Sequence, residues 1–203
     1  VMYNKILQSL PPYADFSVLV PYGRRMAKQM KARSWVLQQD GSWEAVEIPG
    51  PPTFATWSAC WMILRSILFM LRHQVTDVVS GGTVAKQVAT AAALEEYYNV
   101  VKKFSVEYPE CWHLVVAAED KMRAEKLERF RRTLHSAYMK GKVPHEIDYD
   151  HEAPWTAVFR FAARNSDYWQ ENVVRPAQNF LARGGAGKKQ SEHQAEVQAL
   201  GEV

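Results

Sequence analysis

A chain of 203 residues that is 47% hydrophobic and 23% charged has the composition of a soluble globular domain with enough apolar material for one core. Two cysteines can build neither a disulfide framework nor a four-cysteine metal site, which argues against a small secreted scaffold and for a reducing, intracellular setting. The net charge of +3 is unevenly placed: residues 1–39 carry six cations against Asp15 alone, and the remainder is slightly acidic.

The first residues lack the apolar run of a signal peptide, and the start at Val1 leads us to expect a segment of a longer product. Residues 1–33 read as an extended basic arm, broken by Pro11, Pro12, Pro21 and Gly23, with a short basic helix expected over 24–33. Within it Arg24, Arg25, Lys28, Lys31 and Arg33 put five cations in ten residues with no acid among them, close to Tyr22 and Trp35. Cations that attract phosphate beside aromatics that stack bases make these five the candidate nucleic-acid-binding residues. The competing reading is an ordinary basic surface patch. Residues 34–48 read as a β-hairpin turning at Asp40-Gly41, with Trp35 and Trp43 on one face. Two strands alone are marginal, so the hairpin must pack on something.

A helical domain is expected over 53–183. The run Pro-Gly-Pro-Pro at 49–52 ends the hairpin, and Thr53 is a good N-cap. In the helix that follows, Trp57, Trp61, Leu64 and Leu68 are spaced 4, 3 and 4 apart and should face inward, with Arg65 reaching outward or snorkelling along its own stem. A central Arg costs about 2.5–3.5 kcal/mol on membrane-insertion scales, so this is a bundle helix and no membrane partner is expected. After Gly81-Gly82 a second helix is expected on the stripe Val84, Val88, Ala91, Leu94, Tyr98, Val101, Phe104 and Tyr108. Pro109 starts a third, which stops at Gly141. Its charges between 119 and 132, such as Glu125–Arg129 and Glu128–Arg132, read as i, i+4 partners on a solvated face. Pro154 opens a fourth helix with Trp155, Val158, Phe159, Ala162 and Trp169 on one side. Residues 176–181 add a last turn, and 184–203 read as a flexible tail. The expected fold is mainly α, a bundle of about four long helices with an N-terminal β-hairpin appendage.

Catalytic chemistry is thin. The loop with His145, Glu146, Asp148, Asp150, His151 and Glu152 has ligand-type residues, but its histidines lie six apart between prolines, not at i, i+4 on a helix. Cys111 and His113 at i, i+2 on a helix point to different faces and cannot form a nucleophile–base pair directly. Gly81-Gly82-Thr83 lacks either phosphate-loop pattern. The reading is therefore not an enzyme, with no catalytic residue, metal, cofactor or small-molecule substrate.

Six stretches carry a resemblance: FSVLVPYGRR at 16–25, DGSW at 40–43, EIPGPP at 47–52, WHLV at 112–115, EDKMRAE at 119–125 and WQENVVRPA at 169–177. Up to about Gly185 the chain resembles a family multiplied in dinoflagellate genomes, many of whose members look like the N-terminal, gag-like part of retroelement polyproteins. The resemblance implies an intracellular, cytoplasmic or nuclear, capsid-like protein that self-associates and contacts RNA through its basic N-terminal segment. The chain departs from longer relatives in having no Cys-rich knuckle, no Asp-Thr/Ser-Gly protease motif and no polymerase Tyr-x-Asp-Asp. The alternative is a domesticated helical protein-interaction module without nucleic-acid binding.

Overall fold

The computed structural model describes residues 16, 31–38, 43–76, 81–142, 149–150 and 153–183. They are mainly helical, with a two-stranded antiparallel hairpin at the N-terminal side. Strands β1 (Lys31–Leu37) and β2 (Trp43–Pro49) pair with Trp35 opposite Ala45 and Leu37 opposite Trp43. The expected shared face of Trp35 and Trp43 falls on a side chain, that of Trp43, outside the described part of the structure. The hairpin reaches three residues further back than the sequence suggested. Lys31 and Arg33 are strand residues, not the end of a basic helix, because the ladder continues as far as Lys31 opposite Pro49. The turn at Asp40-Gly41 and the tail from 184 lie outside the described residues.

Gly50 leaves the hairpin at φ +142°, a region L side chains rarely adopt, and the following Pro51 is buried. Thr53 then caps α1 (Phe54–Met70), its hydroxyl accepting from the Thr56 amide at 3.2 Å. The expected inward face is the observed one: Trp57, Trp61, Leu64 and Leu68 are fully buried, joined by Cys60. A short hairpin follows, β3 (Arg72–Thr76) against β4 (Thr83–Gln87). This corrects the expected helix start at Val84. Val84 pairs with Val75 across the ladder, and the helix begins only after Thr90, whose hydroxyl accepts from the Ala93 amide. A β-branched valine beside a Gly-Gly suits a strand as well as a helix, and periodicity alone does not separate the two. In α2 (Ala91–Glu107) the buried tyrosine is Tyr97, with Tyr98 only half-buried.

Pro109–Cys111 form a 3-10 turn. The third helix is then continuous in three parts: α3 (Trp112–Lys121), a π turn (Met122–Lys126) and α4 (Leu127–Met139). The inward residues Val115, Glu119, Arg123 and Leu127 are four apart. A straight α-helix drifts about 40° at each such step, and the wider π turn takes up that drift. The helix ends where expected. Gly141, at φ +63°, donates to the Tyr138 carbonyl at 2.9 Å, and Lys142 donates to Ala137 at 2.8 Å, the Schellman pattern. The last helices are α5 (Pro154–Arg164), α6 (Ser166–Trp169) and α7 (Arg175–Ala182). A second π turn, Gln170–Val174, joins α6 to α7 just before Pro176, which has no amide to donate.

The core is held by rings. Trp57 stacks on Trp61 at 5.5 Å, Trp61 on Tyr97 at 5.2 Å, and Tyr97 meets Phe159 edge-on at 5.5 Å. Polar ties fix the layers: Trp112 Nε1 donates to the Pro51 carbonyl at 2.8 Å, Tyr168 OH to Ala118 at 2.7 Å, and Trp169 Nε1 to Ala162 at 2.9 Å. One expectation fails inside this core. The charges from 119 onward are not all solvated: Glu119 is 0% and Arg123 2% exposed, paired on one helix and buried together.

Two stability predictions follow from this packing. Trp61→Ala should cost about 3–5 kcal/mol, whereas Arg65→Leu should stay within about 1 kcal/mol, because the Arg65–Glu95 pair is partly solvated. Thermal melting without detergent reads both. Arg123→Met alone should lose about 3–5 kcal/mol by stranding Glu119, and adding Glu119→Leu should recover most of it. Denaturant midpoints that are additive for the pair would contradict the second.

Candidate functional site

Of the five predicted nucleic-acid-binding residues, Arg24, Arg25 and Lys28 lie outside the described residues. Lys31 and Arg33 stand exposed on β1, two positions apart and on one side of the ribbon. Lys31 Nζ sits 2.6 Å from Glu47 Oε2 on the neighbouring strand. Arg33 lies directly opposite Glu47 in the register. The strand thus brings two of the cations together and also supplies a carboxylate beside them.

Two positions beyond Arg33, the same side of β1 offers Trp35, and there the hairpin meets the helices. A half-open pocket of about 250 Å³ lies between β1, α3 and α7. Its apolar walls are Trp35, Leu114, Pro176 and Phe180, and its polar groups are His113, Asn179 and Arg183. Each element has a local reason for its place. The 3-10 turn after Pro109 sets His113 and Leu114 in the first turn of α3. Pro176 opens α7 with a fixed φ, which carries Asn179, Phe180 and Arg183 along one side at helical spacing.

His113 is 3% exposed and packs edge-on against Phe180 at 5.5 Å. Burial pushes its imidazole down to about 4, so it is neutral at pH 7 and offers one donor and one acceptor. His113 and Asn179 both line the pocket, the first buried and the second exposed. A half-open, mainly apolar pocket lined by a buried neutral imidazole and by the exposed Asn179 and Arg183 can hold a small group that combines apolar surface with hydrogen bonding.

The buried charge cluster is of another kind. Arg123 Nε bonds Glu119 Oε1, Arg123 reaches Glu119 Oε2 at 3.0 Å and Asp120 at 3.3 Å, and Tyr97 OH lies 3.4 Å from Glu119 Oε1. Burial works against the Arg123 charge, and Glu119 outweighs it, so the guanidinium is held protonated more firmly than usual. Burial, reinforced by Glu119, pushes the Tyr97 phenol well above its ordinary range. These groups bond one another across the core and serve packing.

Both cysteines are buried. Burial raises the Cys60 thiol, which donates to the Phe16 carbonyl at 3.7 Å, and takes Cys111 up to about 11. Both are thiols, not nucleophiles, at neutral pH. The loop once weighed as a metal site lies mostly outside the described residues. Of it, Asp150 is near Lys86 at 3.8 Å, and Tyr149 OH is 3.4 Å from His135 Nδ1. Among the described residues no group of three His, Cys, Asp or Glu could hold a metal ion.

No protein-family model, no curated protein and no solved structure matches the chain.

The pocket was not legible in the sequence. Cys111–His113 drew attention as a thiol–imidazole pair, whereas the imidazole's neighbours come from residues 35 and 176–183. Its burial has a measurable sign. The folded value near 4 lies below the ordinary 6.5, so between them the unfolded chain takes up a proton that the fold refuses. This contribution is complete above pH 6.5 and is lost as the pH falls towards 4. The loss should be on the order of 2 kcal/mol, because the half-open pocket lets water screen part of the penalty. It shows as the difference in pH-dependent unfolding free energy between the parent and His113→Gln, which should lack this slope.

Proposed function

We propose that this chain is a gag-like structural protein: a helical scaffold that assembles with further copies of itself and contacts RNA through Arg24, Arg25, Lys28, Lys31 and Arg33. It acts in the cytoplasm or nucleus and performs no catalysis. The family resemblance supports the reading, and the observation that carries it is the outer face of α1. That helix is mostly apolar, with Thr56, Ser58 and Ser66 as its uncharged polar residues. Its one charge, Arg65, turns to α2 and lies 2.9 Å from Glu95. The outward positions Met62, Ile63 and Met70 are 40%, 43% and 81% exposed. An uncovered, mostly apolar stripe, here interrupted by the exposed Ser66, marks an interaction surface. A second copy is the simplest occupant, because one helix stripe meeting its own image forms a closed, self-complementary contact. No helix among the described residues is long and apolar enough to cross a membrane.

Sedimentation of the purified chain, with and without RNA, tests both halves. The parent should associate with rising concentration, and Ile63→Glu combined with Met70→Glu should sediment as a monomer with an unchanged melting curve. RNA should shift the parent at low salt. Replacing the five cations by Gln should lower affinity and flatten its salt dependence. A parent that stays monomeric and ignores RNA overturns the proposal. The Lys31–Glu47 pair favours the second reading, an interaction module without nucleic-acid binding, for which the five-Gln variant would keep every partner contact.

A further inference from the structure

We propose that the outer face of α4 is a second contact surface for RNA, a row of cations on a rigid helix that takes backbone phosphates. The inference rests on the RNA reading above and deepens it by adding a folded surface to the N-terminal cations.

Three observations converge. First, Lys126, Arg129, Thr133, Ser136 and Lys140 follow one another at spacings of 3, 4, 3 and 4, so they form one row along the helix. Arg129, Thr133, Ser136 and Lys140 are exposed and Lys126 is half-buried, while Leu127 and Leu134 turn the other side of α4 to the core. At the helical rise the row spans about 21 Å. Second, the ion pairs of α4 lie off this row. Arg131 and Arg132 both hold Glu128, at 3.2 and 2.7 Å, whereas among the described residues Lys126, Arg129 and Lys140 hold no ion pair. Glu125, one turn before Arg129, is the carboxylate that borders the row, and the Glu125–Arg129 pair that the spacing suggests is not formed. Third, an aromatic ring flanks the cations. Phe130 neighbours Lys126 and Thr133 on the helix, and Phe161 of α5 meets it edge-on at 4.8 Å and is itself 37% exposed.

This is the chemistry of a polyanion's backbone. Ammonium and guanidinium groups without a carboxylate release counterions when phosphates come to them, and Ser136 adds a hydroxyl for a phosphate oxygen. Thr133 is only a spacer, because its hydroxyl donates to the Arg129 carbonyl at 3.0 Å. A bilayer surface fits less well: α4 has already buried its apolar side and has none to insert. An acidic peptide carries its charges on mobile side chains that lose freedom on docking, whereas a phosphate backbone presents one at every step.

The test is binding of a fluorescent single-stranded oligouridylate to the full chain over a salt series, read by anisotropy. Lys126→Gln, Arg129→Gln and Lys140→Gln together should weaken binding about tenfold or more at low salt. They should also reduce the slope of log affinity against log salt by about 2, at about 0.7 for each phosphate contact. Glu125→Gln should tighten binding, because it removes the carboxylate that borders the row. A triple variant that melts like the parent and keeps its affinity and slope overturns the row while the N-terminal RNA reading stands. Where the triple variant melts early, Glu125→Gln decides alone, and binding no tighter than the parent's overturns the row. A parent that ignores the oligouridylate overturns both readings. Competition by poly-glutamate as strong as by unlabelled oligouridylate of equal charge identifies a surface for acidic protein and overturns the row.

Discussion

The buried pair Glu119–Arg123 is the constraint around which the rest is arranged. The two charges sit one turn apart on the third helix, and neither reaches water. Taking them out of solvent costs several kcal/mol each, and their mutual attraction barely offsets that cost, so the pair is a poor source of stability. Its effect is on which packing survives. Glu119 needs Tyr97 of α2 beside it, and Arg123 lies 3.9 Å over the Phe16 ring, so helix, helix and N-terminal segment must meet at one place. A shifted register would leave a bare charge in an apolar core, a larger penalty than any hydrophobic mismatch nearby.

Around that fixed point the core accepts a local loss. Trp57 and Trp61 stack almost parallel, 11° apart, and both indole N–H groups are buried without a partner among the described residues. Each orphan donor costs about 1–3 kcal/mol. The stack persists because two indoles bury far more apolar surface than any smaller pair, and because turning either ring to free its N–H would break its contact with Tyr97 or Tyr98. The inner side of α1 is thus so aromatic that it tolerates unsatisfied donors, while its outer side carries no charge at all.

What the sequence disclosed divides along a physical line. Features set by neighbours three or four residues away were legible. The inward face of α1, the Thr53 cap, the Gly141 stop and the Pro154 start all depend on local spacing or a single backbone preference. The second hairpin was not, because Val84 and Val88 at helical spacing read as the start of the helix. The Glu119–Arg123 pair was misread for a related reason: opposite charges at i, i+4 usually lie on a wet face. The hint was the pair's setting among Ala118, Met122 and Val116, which made that stretch apolar on the same side. The pocket had no local signal. Its residues come from 35, 113–114 and 176–183, and a single sequence does not say that these meet.

The two halves of the molecule are joined on α3. His113 lies in its first turn, facing the hairpin and α7, and Glu119 follows six residues on, about 9 Å along the axis, facing α2. Trp112, next to His113, donates to the Pro51 carbonyl and so anchors the exit of the hairpin. Gly50, beside it, faces Val116, and its φ of +142° rather than crowding is what calls for glycine there. The hairpin is therefore held by the helix whose far side carries the buried ion pair. A two-stranded ribbon is marginal by itself, and this one derives its order from α3. The consequence is mechanical. The core pair fixes the position of α3, α3 fixes the hairpin, and the hairpin fixes Trp35 and Arg33 relative to Phe180 and Arg183. A site assembled from three distant segments can be preorganised in a chain of this size because one rigid helix, anchored by charge, touches all of them.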